Sequence, residues 1–119
     1  MVQAQQTSQK AAEAFRVLKC DACEGRVSKL SAGEISEMVT ALDDRWCVVD
    51  EHHLVCNYTF PDFAEALAFT NRVGELAEAE GHHPDISLGW GRVEILLYTH
   101  SVDGLTKNDF ILAAKISAL

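Results

Sequence analysis

The chain reads as an α+β protein: an antiparallel β-sheet with helices packed on one face, a two-layer sandwich whose β-β-α-β-β-α core follows an N-terminal helix. Three observations predict this. The runs 45–49 and 54–60 are rich in β-branched and aromatic residues and flank the polar turn Asp50 to His53, the pattern of a β-hairpin. A long helical segment then opens at Pro61-Asp62, and a strand from Arg92 to Tyr98 with one fully apolar face, Val93, Ile95 and Leu97, precedes a capped final helix. Hairpin strands separated by helices favour helices layered on an antiparallel sheet.

The elements follow in order. Residues 1–30 form a partly flexible extension, polar and Gln/Ala-rich to about residue 15, where the chain frays or lengthens a weak helix, and 31–119 form the domain. Ser31-Ala-Gly-Glu34 has the form of a capping box, and Ile35, Met38, Val39 and Leu42 repeat at helical spacing, predicting a helix from about 32 to 43. In the helix after Pro61, Phe63, Leu67, Thr70, Val73 or Gly74, and Ala77 make one apolar stripe, and Phe69 and Leu76 begin a second. So wide a face predicts burial against both the sheet and a second subunit, hence a homo-oligomer. Gly81 supplies the C-cap and Pro84 prevents continuation, which leaves His82 and His83 on the exit turn. A short strand is expected near Ile86 to Trp90. Asp103-Gly104 makes a turn, and Thr106-x2-Asp109 caps a helix carrying Phe110, Ile111, Ala114 and Ile116.

Composition bounds the function. At 119 residues and 48% hydrophobic, the chain supports one compact core and is too short for two. Ten Lys plus Arg against eighteen Asp plus Glu give a formal charge of −8, which opposes nucleic acid and anionic membrane as partners. The N-terminal segment has no apolar core of a secretory signal, and no apolar run is long enough to span a bilayer, so a soluble, cytoplasmic protein is expected. The four cysteines imply no disulfide framework. Cys47 and Cys56 stand at strand positions, while Cys20-x2-Cys23 is a single knuckle short of a zinc signature and reads as a free, surface-packed dithiol.

The chemistry-bearing residues are His82, His83 and His100, three imidazoles that titrate near neutrality and suit proton transfer. Each candidate has a plain alternative beside it. His82 and His83 also suit a polar helix C-cap, Asp109 also completes a helix N-terminus, and Glu78 also reads as one solvated charge among Glu75, Glu78 and Glu80. Trp46 and Trp90 suit the core as well as a ring-binding wall, and burial is favoured for Trp90. His52-His53, the same dipeptide in a turn, reads as solvated. Zinc would want three ligands and an open position, but adjacent residues on one turn seldom aim both rings at one ion, so no metal is expected.

The complete spacing, Glu78-x3-His82-His83-Pro84-x5-Trp90-x9-His100-x8-Asp109, resembles the pterin-4a-carbinolamine (4a-hydroxytetrahydrobiopterin) dehydratases. The resemblance runs from about Trp46 to Ala114, and Ala66 to Val73, Glu78 to Pro84 and Asn108 to Ile111 look like bacterial members. The Cys20/Cys23 pair resembles the leader of many bacterial relatives. The resemblance implies a hydro-lyase that removes water from a reduced pterin hydroxylated at C4a, giving quinonoid dihydropterin, with no cofactor. It further implies a homodimer or homotetramer and a functional link to phenylalanine hydroxylase through tetrahydropterin recycling. By resemblance His82 and His100 are the acid/base pair, His83 orients the pterin, and Asp109 and Glu78 fix the histidines. Gly81, Thr99, Ser101 and Trp46 contribute to the substrate pocket. Other uses of the same scaffold are a coactivator of a homeodomain transcription factor, a Rubisco assembly factor, and a role in molybdopterin metabolism. The assembly factors lack the histidine set kept here.

Overall fold

The computed structural model describes residues 14–18, 20 and 28–119. The expectations for the first thirteen residues and for Cys23 lie outside the described residues, and residues 14–17 are helical.

Helix α1 (Ala32–Val39) begins as its sequence dictates. Ser31 Oγ accepts the Glu34 N–H at 3.2 Å, and Glu34 Oε1 accepts the Ser31 N–H at 3.0 Å, so each residue satisfies an orphan donor of the other. The helix stops at Val39 rather than near 43. The Thr40 hydroxyl donates to Glu37 O at 2.6 Å, and the following turns bury Ala41 and Leu42 without helical continuation.

The hairpin forms as read, with β1 (Trp46–Val49) and β2 (His53–Thr59) paired from Trp46 opposite Cys56 to Val49 opposite His53. Its turn is closed by the His52 N–H on Val49 O at 2.9 Å, and Asp50 and Glu51 take φ of 54° and 53°. Two successive left-handed residues match the strand twist, as hairpin turns require.

Helix α2 (Phe63–Glu80) starts on Asp62, whose carboxylate accepts the Glu65 N–H at 2.8 Å. Strands β3 (Asp85–Gly89) and β4 (Arg92–Leu97) follow, then α3 (Lys107–Ser117). All strand pairs are antiparallel in the order β1-β2-β4-β3, with Leu54 opposite Leu97 and Asp85 opposite Leu96. The expected sandwich is what the chain adopts, including the short third strand.

One sheet face is covered. Leu54, Cys56, Tyr58, Val93, Ile95 and Leu97 alternate inward and share one core cluster with Ala66, Phe69 and Val73 of α2. Burying a side chain such as Phe69 stabilises the fold by about 2–3 kcal/mol. Nearly every residue of α3 from Asn108 to Ile116 is buried, which explains its weak amphipathic pattern.

Three expectations change here. The buried stripe of α2 is Ala66, Phe69, Val73, Ala77 and Glu80, because Phe69 seats against Tyr58 and Phe60 at 4.5 and 5.2 Å; Phe63 and Leu67 are left outward. Trp90 is 70% exposed, not core. It sits on the turn between β3 and β4, where Gly91 approaches Phe60 O so closely that a Cβ would lie 2.7 Å from it, and the indole falls outside the strand alternation. Cys20 is buried rather than surface-packed. Its N–H donates to Glu80 Oε1 at 3.0 Å, and Lys115 Nζ pairs with the same oxygen at 3.0 Å. Burial, with Glu80 adding to it, pushes the Cys20 thiol up to about 12. Cys47 and Cys56 are free thiols, and burial pushes Cys56 up to about 11.

Candidate active site

The exit from α2 decides where the histidines go. Gly81 takes φ 67°, a left-handed conformation that suits glycine, and the His82 N–H returns to Ala77 O at 3.3 Å. This reversal separates neighbouring rings. His82 is 2% exposed and turned into the protein, whereas the side chain of His83 is 60% exposed and meets Glu78 Oε1 through Nε2 at 2.6 Å.

The buried ring meets α3. His82 Nε2 lies 2.6 Å from Asp109 Oδ1, with Asp109 fully buried. The other carboxylate oxygen accepts the Thr99 hydroxyl and the Thr106 N–H, each at 2.9 Å. Thr99 Oγ1 and Thr106 Oγ1 are themselves 2.7 Å apart. A carboxylate that only accepts requires a proton on His82 Nε2, so Asp109 selects the tautomer as well as the ring orientation. Its capping function at α3 is present in the same contacts: through the Thr106 N–H one side chain starts a helix and holds a histidine.

Thr99 faces inward and His100 outward. Their loop is closed by Thr99 N–H to Gly104 O at 2.8 Å and Gly104 N–H to Thr99 O at 3.4 Å, around a short 3-10 turn over His100–Val102. His100 is exposed and stacks on Tyr98, with centroids 4.2 Å apart and planes 11° from parallel. Asp109 therefore ties the turn bearing His82 and His83 to the loop bearing His100, although 27 residues separate it from His82.

The remaining candidates are placed as follows. Ser101 is exposed on the 3-10 turn. Gly81 makes the αL cap that turns His82 inward. Trp46 takes the core alternative: it is buried, and its indole N–H donates to Ser117 Oγ at 2.8 Å. Ser117 is eight residues beyond Asp109 on α3, about 12 Å along the axis, so within this chain Trp46 does not wall the histidines.

Sequence reasoning missed His52. Read as solvated turn, it contacts Asp103 Oδ1 at 2.8 Å through Nε2, lies 4.7 Å from the Tyr98 ring, and approaches His53 with Nδ1 atoms 3.1 Å apart. The His52 hydrogen bond and charge, with Lys29 and His100 adding less, hold the Asp103 carboxyl below the usual carboxylate range. Nothing local marks this contact, since it follows from β2 lying beside β4. Among the described residues no three of His, Cys, Asp and Glu are arranged to hold a metal ion, and no helix is long and apolar enough to cross a membrane.

The architecture is that of an α+β protein, an antiparallel sheet backed by helices, in which one buried carboxylate ties the histidine pair at a helix exit to the loop of a third histidine. The family model described as "Pterin 4 alpha carbinolamine dehydratase" matches residues 28–119, and the chain belongs to that family. Similar proteins include one of Rubrobacter xylanophilus, 52% identical over 101 residues that cover 85% of this chain and 94% of the relative. Another, of Alkaliphilus metalliredigens, is 47% identical over 98 residues, covering 82% and 88%. Both carry the name "Putative pterin-4-alpha-carbinolamine dehydratase". The crystal structure of a transcriptional coactivator/pterin dehydratase from Brucella melitensis is similar with a TM-score of 0.71 and 34% identity, covering 76% of this chain and 97% of that one.

Proposed function

We propose that this chain dehydrates 4a-hydroxytetrahydrobiopterin to quinonoid dihydropterin by histidine acid/base catalysis, as a cytoplasmic hydro-lyase serving tetrahydropterin recycling for aromatic amino acid hydroxylation. The observation that carries the reading is the Asp109 carboxylate, bonded at once to His82 and to Thr99 beside His100. In the reaction the C4a–O bond breaks, an acid protonates the departing hydroxyl, and a base takes the N5 proton as the N5=C4a bond forms. Imidazoles with ordinary pKa near 6.5 suit both transfers, and the balance needs no oxidant, reductant or cofactor.

His82 and His100 are the acid/base pair in this reading. His83, solvent-facing and paired with Glu78, orients the pterin, while Thr99 and Ser101 border it. Asp109 keeps His82 in one tautomer, so its effect on rate is exerted through that ring. Phe63 and Leu67, 45% and 39% exposed one turn apart on α2, support the homo-oligomer, which sedimentation at micromolar concentration tests.

The test follows the ultraviolet signal of quinonoid dihydropterin from freshly generated 4a-hydroxytetrahydropterin, with spontaneous dehydration subtracted. The wild type accelerates it, and His100→Ala, at an exposed position that leaves the core intact, loses about 10²-fold or more. A wild type no faster than the spontaneous reaction, or a His100→Ala variant as fast as the wild type, defeats the proposal. A protein-binding role is the second reading, favoured by the coactivator wording of the Brucella structure's name.

A further inference from the structure

His100 poses a physical problem. Its ring is exposed and lies on a loop after the sheet has ended, so core packing does not set its χ angles. A proton-transfer group whose ring samples several rotamers spends only part of its time in reach of a substrate atom.

We propose that Tyr98, backed by the His52–Asp103 pair, is a stacked mount that fixes the His100 ring, making Tyr98 and His52 positioning residues for the dehydration. The inference rests on the dehydratase reading for its functional half and on geometry alone for its structural half. Tyr98 is half-buried where β4 gives way to the loop, and its ring has two imidazole neighbours. The imidazole of His100 stacks on it at 4.2 Å and 11°, and that of His52 leans on it at 4.7 Å and 41°. Aromatic pairs at such separations gain from contact beyond the area they bury.

His52 is itself held. Asp103, at the end of the loop that carries His100, accepts from His52 Nε2 at 2.8 Å. Asp103 also closes the 3-10 turn, its N–H donating to His100 O at 3.2 Å, and takes φ 50°. The β1–β2 turn thus grips the His100 loop from outside, while Thr99, bonded to Asp109, grips it from inside. The grips close on Thr99, just before the imidazole of His100, and on Asp103, three residues after it. Neither His52 nor Tyr98 is assigned a part in proton transfer: the mount acts through His100.

The test uses full-length protein with 13C-labelled histidine and two readouts, the His100 Cε1–Hε1 cross-peak, assigned by His100→Gln, and kcat and KM for dehydration. A stacked imidazole proton is shielded by the phenol ring. Tyr98→Leu therefore moves the His100 Hε1 signal downfield, and lowers kcat about tenfold while KM changes less. Tyr98→Phe, which keeps the stacked ring, recovers both the shift and the rate. His52→Ala gives the same changes in the same direction, reduced in size. An unmoved His100 signal in Tyr98→Leu overturns the mount. A moved signal with unchanged kcat overturns its positioning role. A wild type that does not accelerate dehydration, with the shift behaving as stated, overturns the dehydratase reading and with it the catalytic use of the mount, leaving the stacking geometry established.

Discussion

Replacing Asp109 with Asn keeps the size of a fully buried side chain and changes only what it offers to its partners. The carboxylate accepts from His82 Nε2 at 2.6 Å on one oxygen, and from Thr99 Oγ1 and the Thr106 N–H at 2.9 Å on the other. Asn has one acceptor. If its oxygen stays with Thr99 and the backbone of Thr106, its NH2 group meets the Nε2–H of His82 donor to donor, and the ring must move its proton to Nδ1. The reverse flip leaves a backbone N–H facing an NH2. Either way one charge-assisted hydrogen bond is lost inside the protein, a cost of about 2 kcal/mol. For a chain of this length that lowers Tm by about 8 °C. Urea unfolding at neutral pH measures the loss, and long-range 15N–1H correlation of the imidazoles reports which His82 nitrogen carries the proton. In the proposed reaction, with His82 one of the acid/base pair, dehydration slows together with the tautomer change, because His82 no longer presents the same nitrogen. A stability change under about 0.5 kcal/mol with His82 still protonated on Nε2 would refute the assignment of Asp109 as the anchor.

Two further outcomes follow from the fold. Gly91→Ala places a methyl group 2.7 Å from Phe60 O, a backbone atom that cannot step aside. The end of β4 remote from His100 is forced off β2, costing about 1–3 kcal/mol in urea unfolding while kcat per folded molecule stays near wild type. Glu80 is the acid-sensitive tie. Burial alone would raise its pKa, but the Cys20 N–H and Lys115 outweigh it and hold the carboxyl below its ordinary 4.5. A depressed carboxyl contributes stability that is present above that value and lost as pH falls through the folded one. Stability therefore declines as pH drops below about 4.5, and Glu80→Gln flattens that decline; a variant with the wild-type acid slope would show that the buried Glu80–Lys115 pair is not its source.

Much of this architecture is legible along the chain. Ser31 with Glu34, Asp62 before Phe63, and Gly81 before Pro84 mark helix ends because each satisfies orphan backbone groups within a few residues of itself. The alternation from Arg92 to Leu97 predicts a half-covered strand for the same local reason. Errors cluster where a neighbour from elsewhere in the chain decides. The α2 stripe reads equally well with Phe63 and Leu67 or with Ala66 and Phe69 inside, and the aromatic partners Tyr58 and Phe60 on β2 settle it. Trp90 looks like core by size and is exposed by its place on a turn. Glu80 looks like one of several solvated acids, yet is buried because Lys115 and the Cys20 backbone meet it.

By itself the sequence determined the class of fold, the order of elements and the spacing of the candidate histidines, since periodicity, caps and turns act over one to four residues. Only the tertiary structure decided who meets whom. The left-handed Gly81 sends His82 inward to Asp109 and His83 outward to Glu78, so two identical adjacent side chains enter different environments. The order β1-β2-β4-β3 sets the first hairpin's turn beside the loop after β4, and brings His52 to Asp103 across 51 residues. A periodic pattern specifies which face of an element is apolar. It carries no information about which polar side chain of another element will satisfy a buried donor, and that choice exists only once the sheet register and the helix exits are in place.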